Sequence, residues 1–89
     1  MARKRERLEV IRDILKVIRN NKKIKPTRLL YSSNLSPQMF KDYIDELLKK
    51  DFIKIQEEKK KKEFLLTKKG NDFLEEYKII ERFVEGFGL

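Results

Sequence analysis

The sequence predicts a mainly α-helical fold with one small β-hairpin, in the order helix, helix, helix, strand, strand, helix. Two observations carry this prediction. The apolar residues have helical spacing up to Asp51, alternate as in strands after it, and return to helical spacing after Thr67. Residues that favour helix starts stand before the last three helical segments, namely Pro26, Ser36-Pro37 and Thr67.

The first helix is expected at about residues 6–20. Residues three or four apart predict its core stripe, which consists of Leu8, Ile11, Leu15 and Ile18. Three further apolar residues widen this stripe to roughly half of the helix circumference: Val10, Ile14 and Val17. A stripe this wide indicates two packing partners, the core of the domain and the terminal helix.

The second and third helices are predicted to be joined by a short polar turn. The second begins near Pro26 and ends before Ser32-Ser33-Asn34, and the third follows the N-cap Ser36 and continues through Lys50. Leu35 is expected to lie beneath the turn. Two helices that cross at such a turn form a helix-turn-helix, with the N-terminus of the third helix exposed and its backbone N–H groups free to bind a phosphate.

Two strands are expected next, at residues 52–56 and 63–67, joined by a charged loop at residues 57–62. A hairpin directly after a helix-turn-helix is the wing of a winged helix-turn-helix. Thr67 is expected to cap a last helix at about residues 68–85, which Gly86 and Gly88 end. The expected division is a winged helix-turn-helix domain at residues 1–70 and a C-terminal dimerisation helix at residues 71–89.

The composition argues against catalysis. The 89 residues include no Cys and no His, which removes disulfides, a cysteine nucleophile and the commonest general base and metal ligand. Three glycines cannot form a phosphate-cradling loop, and the carboxylates fall on solvated helix faces. We therefore expect no enzyme, metal, cofactor or small-molecule ligand. No apolar run spans a bilayer and no signal peptide is evident, so a cytoplasmic, nucleoid-associated protein is expected.

The charge is divided unevenly along the chain. The net charge is +8, made up of +11 in residues 1–70 and −3 in residues 71–89. A basic body favours a polyanion, whereas an acidic tail rich in aromatic residues favours a protein partner. Adaptation to heat, which enriches Lys and Glu, is an alternative that accounts for the charge density but not for its uneven sign.

Several sequence stretches point to one family. The chain resembles the archaeal winged-helix DNA-binding proteins of about ten kilodaltons that dimerise through a C-terminal helix. The matching stretches are Ile14-Leu15-Lys16-Val17-Ile18, Lys25-Pro26-Thr27-Arg28-Leu29-Leu30-Tyr31, Asn34-Leu35-Ser36 and Leu65-Leu66-Thr67-Lys68-Lys69-Gly70 with Phe73-Leu74. The resemblance implies binding of double-stranded DNA, with the third helix in the major groove and the wing on the backbone. The chain departs from the family in a shorter terminal helix and a third helix that is not basic.

The third helix offers a small set of candidates for contacts to bases: Ser36, Gln38, Met39 and Lys41. Gln can pair with an adenine edge and Met can touch a thymine methyl group. Ordinary solvated helix residues are an equal alternative for each one. Asp42 would repel phosphate unless it lies over a base or pairs with Lys41.

Candidate phosphate anchors lie on both sides of the third helix. Before the second helix the sequence has Lys22, Lys23, Lys25 and Arg28 without an acid among them, and the expected wing tip has Lys59, Lys60, Lys61 and Lys62. A solvated loop is the alternative for the lysine run, which Glu57 and Glu58 precede. Four N-terminal cations also suggest a basic arm, with disorder as the alternative: Arg3, Lys4, Arg5 and Arg7.

The tail carries apolar residues at spacings of four and three, namely Phe73, Tyr77, Ile80, Val84 and Phe87. This spacing is that of a coiled-coil seam and predicts a homodimer, although it covers only about two heptads. Docking on the first helix is the alternative, and both hold if Leu74, Ile79 and Phe83 take one partner and the seam takes the other.

These observations predict a double-stranded DNA-binding protein, either a transcriptional regulator or a chromatin-type architectural protein. A winged-helix protein-interaction module within a larger complex is the alternative, because the third helix is nearly neutral.

Overall fold

The computed structural model describes residues 6–89 and confirms the expected fold class and element order. The described elements are α1 (Arg7–Asn21), β1 (Lys23–Ile24), α2 (Pro26–Ser33), α3 (Pro37–Lys49), β2 (Ile53–Glu58), β3 (Lys61–Leu66) and α4 (Lys68–Gly86). The helices begin and end within one or two residues of the expected positions. The short strand β1 was not expected.

The core is built around α1, which contacts α2, α4, β1 and β3. Its buried residues are Val10, Ile11, Ile14, Leu15 and Ile18. The expectation that this helix packs on more than one partner is therefore confirmed. Leu8 was wrongly placed in the core stripe, because 51% of its surface is exposed one turn before the packed part of the helix.

The three strands form an antiparallel sheet in the order β1-β3-β2. In β2 and β3, Glu57 lies opposite Lys62 and Glu58 lies opposite Lys61. The ladder runs through these positions, so the charged stretch continues the strands. The expected strand bounds and the loop at residues 57–62 were therefore wrong, since the turn consists of Lys59 and Lys60 alone.

The junction between the wing and α4 explains the Thr67–Gly70 pair. The Thr67 hydroxyl caps α4 by accepting from the Gly70 N–H at 3.1 Å, and it donates to the Asp51 carbonyl at 2.7 Å. A Cβ atom on Gly70 would clash with the Phe52 carbonyl oxygen. Only glycine therefore lets α4 approach the start of the wing this closely, and this contact fixes the wing relative to α3 and α4.

Candidate nucleic-acid interface

The turn between α2 and α3 is held by short polar contacts. Asn34 ends α2 in the left-handed region, with φ of 57°, which an Asn tolerates. The buried Ser33 hydroxyl donates to the Leu30 carbonyl at 2.7 Å and accepts from the Leu35 N–H at 3.3 Å. Leu35 is half-buried against the core, as expected. The turn is thus rigid and orients the first residues of α3.

The N-terminus of α3 offers fewer free donors than the sequence suggested. Ser36 is the N-cap, as expected, and its hydroxyl accepts from the Met39 N–H at 3.2 Å. Pro37 has no N–H to donate. Of the first three residues of α3, only Gln38 keeps an N–H without a described partner. The expected set of free N–H groups is therefore reduced to one.

The exposed face of α3 is paired within itself. The Gln38 amide donates to an Asp42 oxygen at 3.1 Å, and Lys41 Nζ donates to an Asp45 oxygen at 2.7 Å. The hydrogen bond and the charge of Asp45 raise the pKa of Lys41 above its ordinary value. Asp42 thus pairs with Gln38 rather than with Lys41. Met39 lies beside these pairs and is 47% exposed.

The approach to α2 carries cations at a helix N-terminus. Lys25 is the N-cap of α2, Arg28 lies in its first turn, and no acidic residue accompanies them. Lys22 ends α1 with φ of 63°, and Lys23 lies 4.0 Å from Glu63. Cations at a helix N-terminus oppose the helix dipole, so this arrangement would be stabilised by an anion.

The wing tip is a two-residue turn with φ of 49° at Lys59 and 66° at Lys60. Positive φ at both central residues defines a turn that usually contains Asn-Gly. Lys61 and Lys62 lie in β3 instead of the expected loop. All four lysines are exposed, and the described residues provide none of them with an ion pair within 4.0 Å.

Most other described cations have acidic partners. The ion pairs that hold them are Arg7 with Glu46, Arg12 with Asp13 and Glu81, Arg19 with Glu75, Lys41 with Asp45, Lys50 with Glu46, Lys68 with Asp72 and Lys78 with Glu75. Lys22, Lys25, Arg28 and the four wing lysines have no acidic partner among the described residues, unlike Lys23, which pairs with Glu63. Five cations elsewhere also lack one, namely Lys16, Lys49, Lys54, Lys69 and Arg82, but they are not grouped at one place in the sequence. Sequence reasoning omitted Lys54, an exposed cation of β2 that the strand alternation already directs outward.

The first half of α4 packs on its own domain. Leu74 is buried, and the Phe73 ring lies edge-on to Phe52 with the ring centroids 5.6 Å apart. Tyr77 stacks on Phe73, with 5.8 Å between the centroids. Two residues of the expected seam, Phe73 and Tyr77, thus have partners within the chain.

Arg12 joins α1 to the middle of α4. Its guanidinium donates to Glu81 at 2.6 Å and lies 5.3 Å above the centroid of the Tyr77 ring. Partial burial alone would lower the pKa of Arg12, but the hydrogen bond to Asp13 and the charges of Asp13 and Glu81 raise it. For Tyr77, whose charged form is an anion, burial has the opposite effect and raises the pKa. These contacts fix α4 against α1.

The second half of α4 presents an exposed apolar face. Its members and their exposed fractions are Ile79 (60%), Ile80 (58%), Phe83 (63%), Val84 (36%) and Phe87 (70%). At about 100° per residue, these side chains cover an arc of about 140°, and its centre is rotated by about 100° from the face that packs on α1. Residues 6–70 of the chain's own domain therefore do not cover this face.

The suggested basic arm lies mostly outside the described residues. Arg3, Lys4 and Arg5 of the suggested basic arm lie outside the described residues, whereas Arg7 pairs with Glu46. Within residues 6–89, no group of acidic side chains is arranged to hold a metal ion. No helix in this part of the chain combines the length and apolar character that a bilayer crossing requires.

Similar proteins occur among curated and solved ones. Protein MJ0287 of Methanocaldococcus jannaschii is 43% identical over 67 residues, which are 75% of this chain and 64% of that protein. Protein MJ0290 of the same organism is 35% identical over 81 residues, which are 91% of this chain and 36% of that protein. The chain thus spans less than two thirds of the length of either relative.

The fold also matches a solved structure. Sso10a-2, a DNA-binding protein from Sulfolobus solfataricus, superimposes with a TM-score of 0.76 at 24% identity, over 93% of this chain and 85% of that one. A family model described as winged helix-turn-helix matches residues 4–85. The chain therefore belongs to the winged helix-turn-helix family.

Proposed function

We propose that the protein binds double-stranded DNA without catalysing a reaction, and that phosphate contacts from the approach to α2 and from the wing supply most of its affinity. The observation that carries this proposal is the grouping of cations without acidic partners before α2 and in the wing. Lys25, Arg28 and the wing lysines lack acidic partners among the described residues, whereas the helix cations Arg12, Lys41 and Lys68 have them. Unpaired, exposed cations gain more from a phosphate because they give up no existing partner.

The winged helix-turn-helix family supports α3 as the element that enters the major groove, and the wing as the element that follows the backbone. The DNA binding stated for Sso10a-2 supports the same partner for this chain. The biological role in this proposal is that of a transcriptional regulator or an architectural protein of chromatin. Phosphate anchors alone suit an architectural protein, and contacts from α3 to bases suit a regulator.

Titration of a labelled random-sequence duplex at several salt concentrations tests the proposal. Each neutralised phosphate contributes roughly −0.9 to the slope of log K against log salt concentration. Six anchors, Lys25, Arg28 and the four wing lysines, predict a slope near −5 for each DNA-binding domain. Absence of binding at the lowest salt would overturn the proposal. A partner protein captured from nuclease-treated extract would then favour the interaction-module function.

The proposal includes a homodimer formed through residues 71–89, with the winged domain at residues 1–70 presented twice. The exposed apolar face of α4 supports it, because contiguous apolar surface of this kind marks association sites. Ile80, Val84 and Phe87 of the expected seam belong to this face, and Ile79 and Phe83 extend it. Two joined domains would double the number of phosphate anchors on one duplex.

Sedimentation velocity tests the dimer. The double variant Ile80→Lys, Phe87→Lys places charge on the exposed face without touching the core, so it is expected to sediment as a folded monomer. Tyr31→Lys is the matched control, since Tyr31 is 81% exposed on α2, and it should leave the dimer intact. Wild-type protein that is monomeric at micromolar concentration would remove the dimer from the proposal but leave DNA binding standing.

A further inference from the structure

The outward face of α3 differs from the wing tip because four of its polar side chains are already joined to one another. Gln38 donates to Asp42 and Lys41 donates to Asp45, and the four side chains together carry a net charge of −1. We propose that this face contacts base edges and not phosphates, and that Asp42 and Asp45 select cytosine in the major groove. This inference rests on the proposed DNA binding and names the determinants of its specificity.

Phosphate is a poor partner for this face. Lys41 would have to give up Asp45 to reach a phosphate, and the freed carboxylate would then repel it. Two carboxylates at the centre of a DNA-facing helix reduce non-specific affinity. Such residues are compatible with binding only where a hydrogen-bond donor of the DNA meets them.

Each carboxylate is oriented and keeps one oxygen available. Gln38 occupies Oδ1 of Asp42, and Lys41 occupies Oδ2 of Asp45. The second oxygen of each carboxylate has no described hydrogen bond, and both side chains are exposed. Three residues advance a helix by about 4.5 Å, which is close to the roughly 3.4 Å between stacked bases. The two carboxylates are therefore spaced for neighbouring base pairs.

The chemistry of the major groove selects the base. Guanine presents two acceptors and thymine presents the O4 acceptor, so both repel a carboxylate. Adenine presents an amino group beside the N7 acceptor, whereas cytosine presents its N4 amino group without an adjacent acceptor. An oriented carboxylate oxygen is therefore best satisfied by cytosine.

Selection from a duplex pool with a randomised central segment tests the inference. The wild-type protein is expected to enrich cytosine at one or two positions, and exchange of that C·G pair for T·A should weaken binding roughly 5- to 100-fold. In the variant Asp42→Asn the carboxylate becomes an amide, which pairs with adenine through two hydrogen bonds. The preferred base at one position should then change from cytosine to adenine. Asp45→Asn should change the neighbouring position.

Asp72→Asn is the matched control. Asp72 also pairs with a lysine four residues away, Lys68 at 2.9 Å, but it lies on α4. This variant has the same change of charge and should keep the wild-type base preference. Duplex binding without any base preference, or identical preferences in the wild type, Asp42→Asn and Asp45→Asn, would overturn the inference alone. Failure to bind any duplex at low salt would overturn the proposed function with it.

Discussion

The outward face of α3 and the wing carry charges of both signs, but only α3 joins them. In α3, residues four apart lie on one face, and their side chains meet as Gln38–Asp42 and Lys41–Asp45. In the wing, Glu57 and Glu58 lie across the ladder from Lys62 and Lys61, yet none of the lysines is within 4.0 Å of a described carboxylate. Net charge therefore does not locate the polyanion-binding surface. We propose that side-chain pairing does, with affinity assigned to the wing and selectivity to α3.

The largest effect on stability is expected at Gly70, which packs against the backbone between α3 and the wing. Gly70→Ala should destabilise the fold by about 1–3 kcal/mol or more, because the added Cβ atom clashes with backbone at the start of the wing. Gly86→Ala is the matched control, since nothing lies within 4 Å of its added Cβ atom. It should stabilise α4 slightly through helix propensity. Urea unfolding measures both, and equal stabilities would contradict the role of Gly70.

Substitutions at the wing tip distinguish the effect of charge on DNA affinity from the effect of backbone conformation on stability. Lys59→Asn, Lys60→Gly gives the turn the residues its positive φ values favour, so the free energy of unfolding should rise by about 1 kcal/mol. The same change removes two cations, so affinity for a random duplex should fall about tenfold at moderate salt. Lys59→Ala, Lys60→Ala should lose the affinity without the gain in stability. A more stable variant with unchanged affinity would show that these lysines are solvated and do not contact DNA.

Removing the N-cap of α3 should have a smaller effect. Ser36→Ala loses the bond from the Met39 N–H and should destabilise the protein by about 1 kcal/mol. Ser32→Ala, an exposed position of α2 without a described side-chain hydrogen bond, is the control and should be nearly neutral. Thermal unfolding followed by circular dichroism distinguishes them, and equal shifts would contradict the capping role.

The smallest effect is expected from pH. The chain has no His, so no side chain changes charge between pH 5 and 8 at its unperturbed pKa. Duplex affinity should therefore be constant from pH 6 to 8. Asp45 raises the pKa of Lys41, so the stabilisation from this pair is present below pH 10.5 and is lost only as the pH rises through the raised value. A change in affinity near pH 6.5 would contradict this assignment of charges.

The sequence predicted the helices well because Pro26, Ser36-Pro37 and Thr67 act locally, through caps and fixed backbone angles. It did not predict β1, since a two-residue strand exists only through its pairing with β3. It placed Lys61 and Lys62 in a loop because a turn made of two lysines carries no turn signal. Such features depend on tertiary contacts that periodicity does not encode.

The candidate site was predicted as a set of residues but not as a pattern of contacts. The sequence identified Lys25, Arg28 and the wing lysines as candidate cations, whereas the pairing of Lys41 with Asp45 required helix geometry. The spacing of the tail residues was recognised as well. It did not reveal that Phe73 and Tyr77 pack on the chain's own domain and that Ile79 and Phe83 stay exposed. Periodicity defines a face of a helix but not the partner that covers it.

The most direct test compares two pairs of lysines that carry the same charge. One variant, Lys59→Asn, Lys60→Gly, removes unpaired cations of the wing, and the other, Lys41→Gln, Lys50→Gln, removes cations that have acidic partners. The measurement is the salt dependence of binding to one random-sequence duplex. The wing variant should lose roughly 2 from the magnitude of the slope, and the α3 variant should lose close to nothing. Equal losses in the two variants, or a larger loss in the α3 variant, would contradict the assignment of affinity to the unpaired cations.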